Sequence, residues 1–325
     1  MNVVVTGVAG FIGYHTALFL LDRGHDVIGI DNLNDYYDVR LKNYRLSFLQ
    51  KNEKFNFIKC DLSEKEACEE AFSSQSIDVV IHLAAQAGVR YSIVNPYSYT
   101  KNNVEAFLNI LEICRHQKIK RLCYASSSSV YGGLKTYPFE ESMRVDTPIS
   151  LYAATKKSNE LMAHTYSHLY GLEIYGFRFF TVYGPMGRPD MAMWLFTDAI
   201  MNGKPIKVFN HGKMKRDFTF VDDIVKGLTA SIDADMPSKY EIFNLGNNQN
   251  EELADLIEYI ESSMGKKAEK EMLPMQPGDV EQTFADVSKA KKILNFSPTT
   301  RLKDGVQAFT DWYVNEWLPY TKENL

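Results

Sequence analysis

The chain has 325 residues, 45% of them hydrophobic and 24% charged, with a formal net charge of −5. That length supports a large core and suggests two lobes. The acidic balance, without a long Lys/Arg run, excludes a nucleic-acid surface or an anionic-membrane surface. Cys60, Cys68, Cys114 and Cys123 lack C-x-x-C spacing, so buried thiols in a reducing compartment are expected. The chain opens directly on a strand pattern. Its most apolar early stretch, 11–21, carries Tyr14 and His15 and is too short to cross a bilayer. A soluble cytoplasmic protein is expected.

In chain order, the spacing predicts a strand over 3–6, a helix over 11–23 and a strand over 27–31. A strand over 55–59 follows, then a helix over 64–72 and a strand over 79–83, whose continuous apolar run suits burial on both faces. A long helix over 102–117 leads to a strand over 121–126. A second long helix over 150–170 leads to a strand over 173–179. Such alternation builds βαβ units and a parallel sheet. Beyond residue 182 turn residues multiply and the rhythm is lost. A dinucleotide-binding domain over 1–180 and a mixed α/β substrate lobe over 181–325 are expected. A further strand near 242–246 is expected to return to the main sheet. Helices are predicted over 253–264 and 306–317. No internal repeat or low-complexity segment is visible.

The segment from Gly7 through Gly10, Phe11 and Ile12 to Gly13 lies between the first strand and the first helix. Glycines there allow a tight turn, close approach of a pyrophosphate and tight helix–strand packing, and the helix N-terminus offers free N–H groups. The second strand ends in Asp31, which accepts from a ribose 2′-hydroxyl and repels a 2′-phosphate, favouring NAD over NADP. Asp61 and Leu62 follow one strand at the adenine end. Leu83, Ala84 and Ala85 end another with small residues in the cofactor's path. The fold expected is a Rossmann-type, doubly wound α/β sheet.

Tyr152 and Lys156 are four apart, so they share one face of a helix. A lysine beside a phenol favours the phenolate, a usable general base. A hydroxyl from the run Ser126 to Ser129 completes a proton-handling group. The seven histidines show no ligand spacing, and no metal site is expected.

Together with Arg216-Asp217-Phe218, these features identify the chain as a member of the extended short-chain dehydrogenase/reductase superfamily. More narrowly it resembles nucleotide-sugar epimerases of the UDP-glucuronate 4-epimerase type. That match rests on 31–38 (Asp31-Asn32-Leu33-Asn34-Asp35-Tyr36-Tyr37-Asp38), 86–92 (Gln86-Ala87-Gly88-Val89-Arg90-Tyr91-Ser92), 184–191 and 274–280. Met186 departs from the pattern, which has Trp there.

The resemblance implies tightly held NAD that is recycled without net redox, a UDP-sugar in the second lobe, and a homodimer formed by the two long helices. Asn32 and Asn102 join the candidate cofactor residues. Ser127 matches the family's spacing from Tyr152, with Ser126 and Ser128 its neighbours on the same strand end. Related dehydratases carry an Asp-Glu pair where this chain has Ser128 and Ser129, and related decarboxylases carry a Glu beside the catalytic Ser/Thr. Simple 4-epimerisation is therefore expected. Arg188, assisted by Thr181, is the candidate for a sugar carboxylate, since a guanidinium binds a carboxylate through two parallel bonds. Arg216 is the candidate for the diphosphate, Asp279 for the uridine ribose and Asn210 for the uridine. Arg90 and Ser92 lie at the carboxyl edge of the sheet, where ligands bind. UDP-glucuronate/UDP-galacturonate 4-epimerisation is the leading expectation. A 4-epimerase of neutral or N-acetylated UDP-hexoses is the alternative. A dehydratase or decarboxylase, or a silent NAD-binding regulator, is more remote.

Overall fold

The computed structural model describes residues 1–73, 76–276 and 279–323. Its centre is a seven-stranded sheet built from β1 (Asn2–Thr6), β2 (Asp26–Asp31), β3 (Phe55–Lys59), β4 (Val79–His82), β5 (Arg121–Ser127), β6 (Glu173–Phe179) and a last strand, Tyr240–Leu245. The order across the sheet is Tyr240–Leu245, β6, β5, β4, β1, β2, β3, and every pairing is parallel.

Successive side chains of a strand face opposite ways, and both faces here are covered. Val3, Val5, Val79, Ile81 and Cys123 enter one core, while Val4, Val80, Leu122 and Tyr124 enter the other. This burial on both faces explains the unbroken apolar run of β4. The strand order reverses between β1 and β4, which opens a crevice at their carboxyl ends. Thr6 closes its floor: its hydroxyl oxygen accepts from the Leu83 and Ala84 amides, 3.1 Å each.

The long helix expected over 102–117 differs in its first turn. Thr100–Glu105 is π-helical, and the α-helix runs Ala106–His116. The wider turn lets Asn103 reach out of the helix. Its side chain bonds both backbone groups of Gln86 and donates to Thr155 Oγ1, and its carbonyl accepts from Asn159. Such single-turn widenings are frequent at functional sites. The helix Leu151–Tyr170 begins at Ser150, whose hydroxyl caps the Ala153 amide, and ends at Gly171 in the left-handed conformation. The helix expected over 306–317 begins earlier, at Leu302, and turns π-helical over Tyr313–Trp317. The helix Val39–Leu49 has no counterpart among the sequence expectations.

Beyond β6, Thr181–Tyr183 pairs with Phe218–Phe220, Ile206–Phe209 with Lys270–Leu273, and Lys215–Arg216 with Glu251–Glu252. These short pairs mix parallel and antiparallel registers, and their residues follow no simple period, which is why the sequence rhythm fades there. No helix among the described residues is long and apolar enough to cross a membrane.

Candidate functional site

At the crevice the glycine loop is packed to its limit. A Cβ on Gly13 would stand 2.1 Å from the Gly7 carbonyl oxygen, one on Gly10 2.8 Å from the same atom, and one on Gly7 2.7 Å from the Ala84 amide. The helix Phe11–Asp22 starts at Gly10 with no side-chain cap, so its first N–H groups face the crevice unclaimed by a side chain. That arrangement fits an anionic diphosphate. Asp31, at the end of β2, is buried and accepts from the Ala9 amide at 3.1 Å and the Leu33 amide at 2.8 Å.

One continuous cavity is lined by Gly7, Gly10, Phe11, Ile12, Gly13, Asp31, Asn32, Asp61, Leu62, Leu83, Ala84, Ala85 and Asn102, and further along by Ser127, Ser128, Tyr152, Lys156, Thr181 and Arg188. All the candidate cofactor residues therefore meet the catalytic candidates in one space. Tyr36, Lys42, Gln86 and Ser129 also line it. Of these, Ser129 belongs to the serine run already singled out, and Tyr36 and Gln86 fall inside segments read from the sequence, but nothing in their residue type marked those two individually.

The serine run is sorted by strand alternation. Ser126 points into the buried Glu160–Arg178 pair, where its hydroxyl donates to Glu160 Oε1 at 2.8 Å. Ser127 accepts from the Ser129 amide at 3.1 Å, and its hydroxyl faces the Tyr152 phenol closely enough to lower the phenol's pKa. Glu160 receives Arg178 through both oxygens, 2.8 and 2.9 Å. This pair locks the Leu151–Tyr170 helix to β5 and β6 and sets where Tyr152 and Lys156 stand.

Tyr152 and Lys156 behave differently from the simple expectation of a lysine holding a phenolate. Burial raises the Tyr152 pKa, opposed by the Ser127 hydrogen bond and then by the Arg188 charge. Burial pushes Lys156 down to about 8, and its ammonium donates to the Ala125 carbonyl at 2.9 Å. The cation acting on the phenol in this state is thus Arg188, because Lys156 is turned to the end of β5.

Arg188 is itself engaged. Its Nε and Nη2 donate to the two oxygens of Asp190, 3.0 and 2.5 Å, and Asp190 also accepts from the Tyr36 hydroxyl at 3.1 Å. Nη1 makes no hydrogen bond among the described residues. Sequence reading missed Asp190, although it lies within the 184–191 segment.

The nucleotide candidates gather in a second group. Arg90 pairs with Asp279 at 2.9 Å and lies over the Phe209 ring, 4.7 Å from its centroid. Arg216 lies near both: burial lowers its pKa and Asp279 opposes that shift. Arg216 forms no ion pair among the described residues; its Nη1 donates to the carbonyls of Lys215 at 2.9 Å and Glu281 at 3.3 Å. Arg90, Asn210, Arg216 and Asp279 do not line the cavity; the Asp217 carbonyl, next to Arg216 in the chain, accepts from the amide of the cavity-lining Thr181 at 3.0 Å. Asn210 follows Phe209 with a positive φ of 48°. Ser92 is not brought to the site: it is buried and its hydroxyl donates to the Val89 carbonyl at 2.6 Å, closing its own turn. Of the 274–280 segment, Pro277 and Gly278 lie outside the described residues. No cluster of His, Cys, Asp or Glu suited to a metal occurs among the described residues.

The family model for GDP-mannose 4,6 dehydratase matches residues 4–309. Protein CapI of Staphylococcus aureus is 50% identical, over 97% of this chain and 98% of its own length. The UDP-glucuronate 4-epimerase of Thermodesulfobacterium geofontis is 48% identical, over 99% of this chain and 96% of its own. A crystal structure of UDP-glucuronic acid 4-epimerase from Bacillus cereus, in complex with UDP-glucuronic acid and NAD, is similar with a TM-score of 0.90. It is 36% identical and the match covers 97% of this chain and 99% of that one.

Proposed function

The chain belongs to the GDP-mannose 4,6 dehydratase family, and we propose that it is an NAD-dependent 4-epimerase interconverting UDP-glucuronate and UDP-galacturonate. The observation that carries this reading is Arg188 sharing one cavity with Ser127, Tyr152 and Lys156. Proton-handling groups and a cation suited to a uronate carboxylate stand together, and no acid occupies positions 128 and 129.

The uncapped helix N-terminus, the glycine loop and Asp31 would hold NAD, which would supply a reversible hydride acceptor for the sugar C4. The protein's own residues do the rest. Tyr152, as phenolate, accepts the proton of the sugar 4-hydroxyl and gives it back after the 4-keto sugar has turned over. Ser127 bonds the same oxygen and steadies the phenolate. Lys156, which donates to the Ala125 carbonyl, would swing to the nicotinamide ribose and the phenol. Arg90, Arg216 and Asp279 hold the UDP, so the sugar ring rotates about a fixed anchor. Arg188 Nη1 receives the carboxylate. Ser128 and Ser129 offer hydroxyls where dehydration needs a carboxylic acid and a base, which separates this chain from the dehydratases that name the family.

A second reading, epimerisation of a neutral UDP-hexose, is favoured by the Arg188–Asp190 pair, whose charges largely cancel. Incubation with UDP-glucuronate and, separately, UDP-glucose, with products resolved by NMR, decides between them. Formation of UDP-galacturonate without net NADH is expected; conversion of UDP-glucose alone would overturn the leading reading.

The protein acts as a homodimer through the helices 106–116 and 151–170. Leu108, Leu161, Leu169 and Tyr170 are exposed on them, and Leu161 and Leu169 lie on one helix face. The four cysteines are free and buried, which suits a reducing cytoplasm. The product serves polysaccharide synthesis.

A further inference from the structure

Arg45, on the helix Val39–Leu49, has no role in the chemistry above. It is fully buried, 0% exposed, and it forms no ion pair among the described residues. A guanidinium taken from water without a carboxylate is costly unless other groups satisfy it. Here oxygens do. Nη1 donates to the Ala9 carbonyl at 2.8 Å and to the Tyr37 hydroxyl at 2.7 Å. Nη2 donates to the carbonyls of Met186 at 2.6 Å and Gly187 at 3.1 Å.

These acceptors belong to the two ends of the site. Ala9 lies in the glycine loop, and its amide donates to Asp31. Met186 and Gly187 immediately precede Arg188. His15, on the helix that follows the glycine loop, bonds the Pro185 carbonyl at 2.9 Å. Three consecutive carbonyls, 185 to 187, are therefore held from the dinucleotide half of the molecule. Met186 sits at φ 60°, a conformation costly for a residue with a Cβ. Its carbonyl is held there by the guanidinium. Val182 and Arg188 line the cavity, but 184–187 do not.

We infer that Arg45 is a positioning residue that couples the dinucleotide loop to the loop aiming Arg188, so that an occupied cofactor site tightens recognition of the sugar carboxylate. The inference rests on the epimerase reading for the identity of both ligands. An anion at the glycine loop lowers the cost of the buried cation and steadies Ala9, and the same guanidinium carries that order to Met186 and Gly187. Linkage makes the effect reciprocal: the uronate must tighten the cofactor by the same factor.

The test measures UDP-glucuronate and UDP affinity by calorimetry with and without NAD, in the wild type and in Arg45→Lys. A lysine keeps the charge but cannot span both loops. In the wild type, NAD is expected to tighten UDP-glucuronate about 5-fold or more, within the usual range of coupling, and to leave UDP unchanged. In Arg45→Lys the factor falls towards one. Hydrogen exchange gives a second readout that needs no variant: NAD alone should slow the amides of 184, 186 and 187 in the wild type. Should Arg45→Lys fail to fold, this arm decides, with Tyr37→Phe expected to weaken the protection. An unchanged coupling factor in Arg45→Lys, or exchange at 184–187 indifferent to NAD, would overturn the inference; a lowered melting temperature with full coupling would make Arg45 merely structural and overturn it equally. Failure of the wild type to bind UDP-glucuronate or form UDP-galacturonate would instead sink the function reading, and the exchange arm would still judge Arg45.

Discussion

Burial acts on Tyr152 and Lys156 in opposite directions, raising one pKa and lowering the other, because it penalises whichever form is charged. Burial thus keeps the Tyr152 phenol protonated and loosens the Lys156 proton, while a pKa of about 8 still leaves Lys156 mainly an ammonium at pH 7. Tyr152→Phe should lower kcat by about 10³-fold, in the range of lost general acid–base catalysis. UDP-glucuronate affinity should stay near wild type, as calorimetry can check. For Lys156 the folded pKa of about 8 lies below the ordinary lysine value of 10.5. Its contribution to stability is therefore fully present above about pH 10.5 and lost as pH falls through 8. Lys156→Met should abolish activity yet raise the melting temperature at pH 7. The shift sets an upper bound on the order of 3 kcal/mol, reduced because the Ala125 carbonyl loses its donor. The gain should shrink as pH is raised above 8. A melting temperature lower than wild type at pH 7 would contradict this account.

The Glu160–Arg178 pair operates at the level of elements, tying the Leu151–Tyr170 helix to β5 through Ser126 and to β6 through Arg178. Removing one partner leaves the other charge buried and unpaired. Glu160→Ala should cost about 3–5 kcal/mol of stability by denaturant unfolding. It should also lower kcat at temperatures where the variant is folded, because the helix carrying Tyr152 loses its register against Ser127. The π-helical turn Thr100–Glu105 does related work from the other side, through Asn103 to Gln86 and Thr155. Neither device is visible as a motif. Glu160 and Asn103 read as ordinary helix residues until the sheet order places their partners beside them.

For the whole molecule, the proposed pairing of the two long helices has a direct check. Leu161 and Leu169 are 59% and 61% exposed. Changing both to Glu should turn a dimer into a monomer by light scattering, with little effect on monomer stability, since neither side chain is in the core. A wild type that elutes as a monomer would rule that interface out. The same scale explains why activity needs both halves. The cofactor loop and the cavity's catalytic edge come from the seven-stranded sheet, while Arg188, Arg216 and Asp279 come from segments after β6.

The sequence by itself determined the parallel sheet, the glycine loop between its first strand and helix, and the proposed catalytic trio Ser127, Tyr152 and Lys156 as candidates. Each of these is written in local order: apolar runs at strand spacing, glycines between a strand and a helix, and residues four apart on one helix face. Tertiary structure alone decided that Ser126 bonds Glu160 while Ser127 faces Tyr152, that Arg188 already holds Asp190, that Ser92 closes its own turn, and that Arg45 spans two loops. Those outcomes depend on hydrogen bonds between residues far apart in the chain, some more than a hundred positions away. No periodicity or spacing encodes such partners, because they exist only once the sheet has set its order and the buried groups have had to find them.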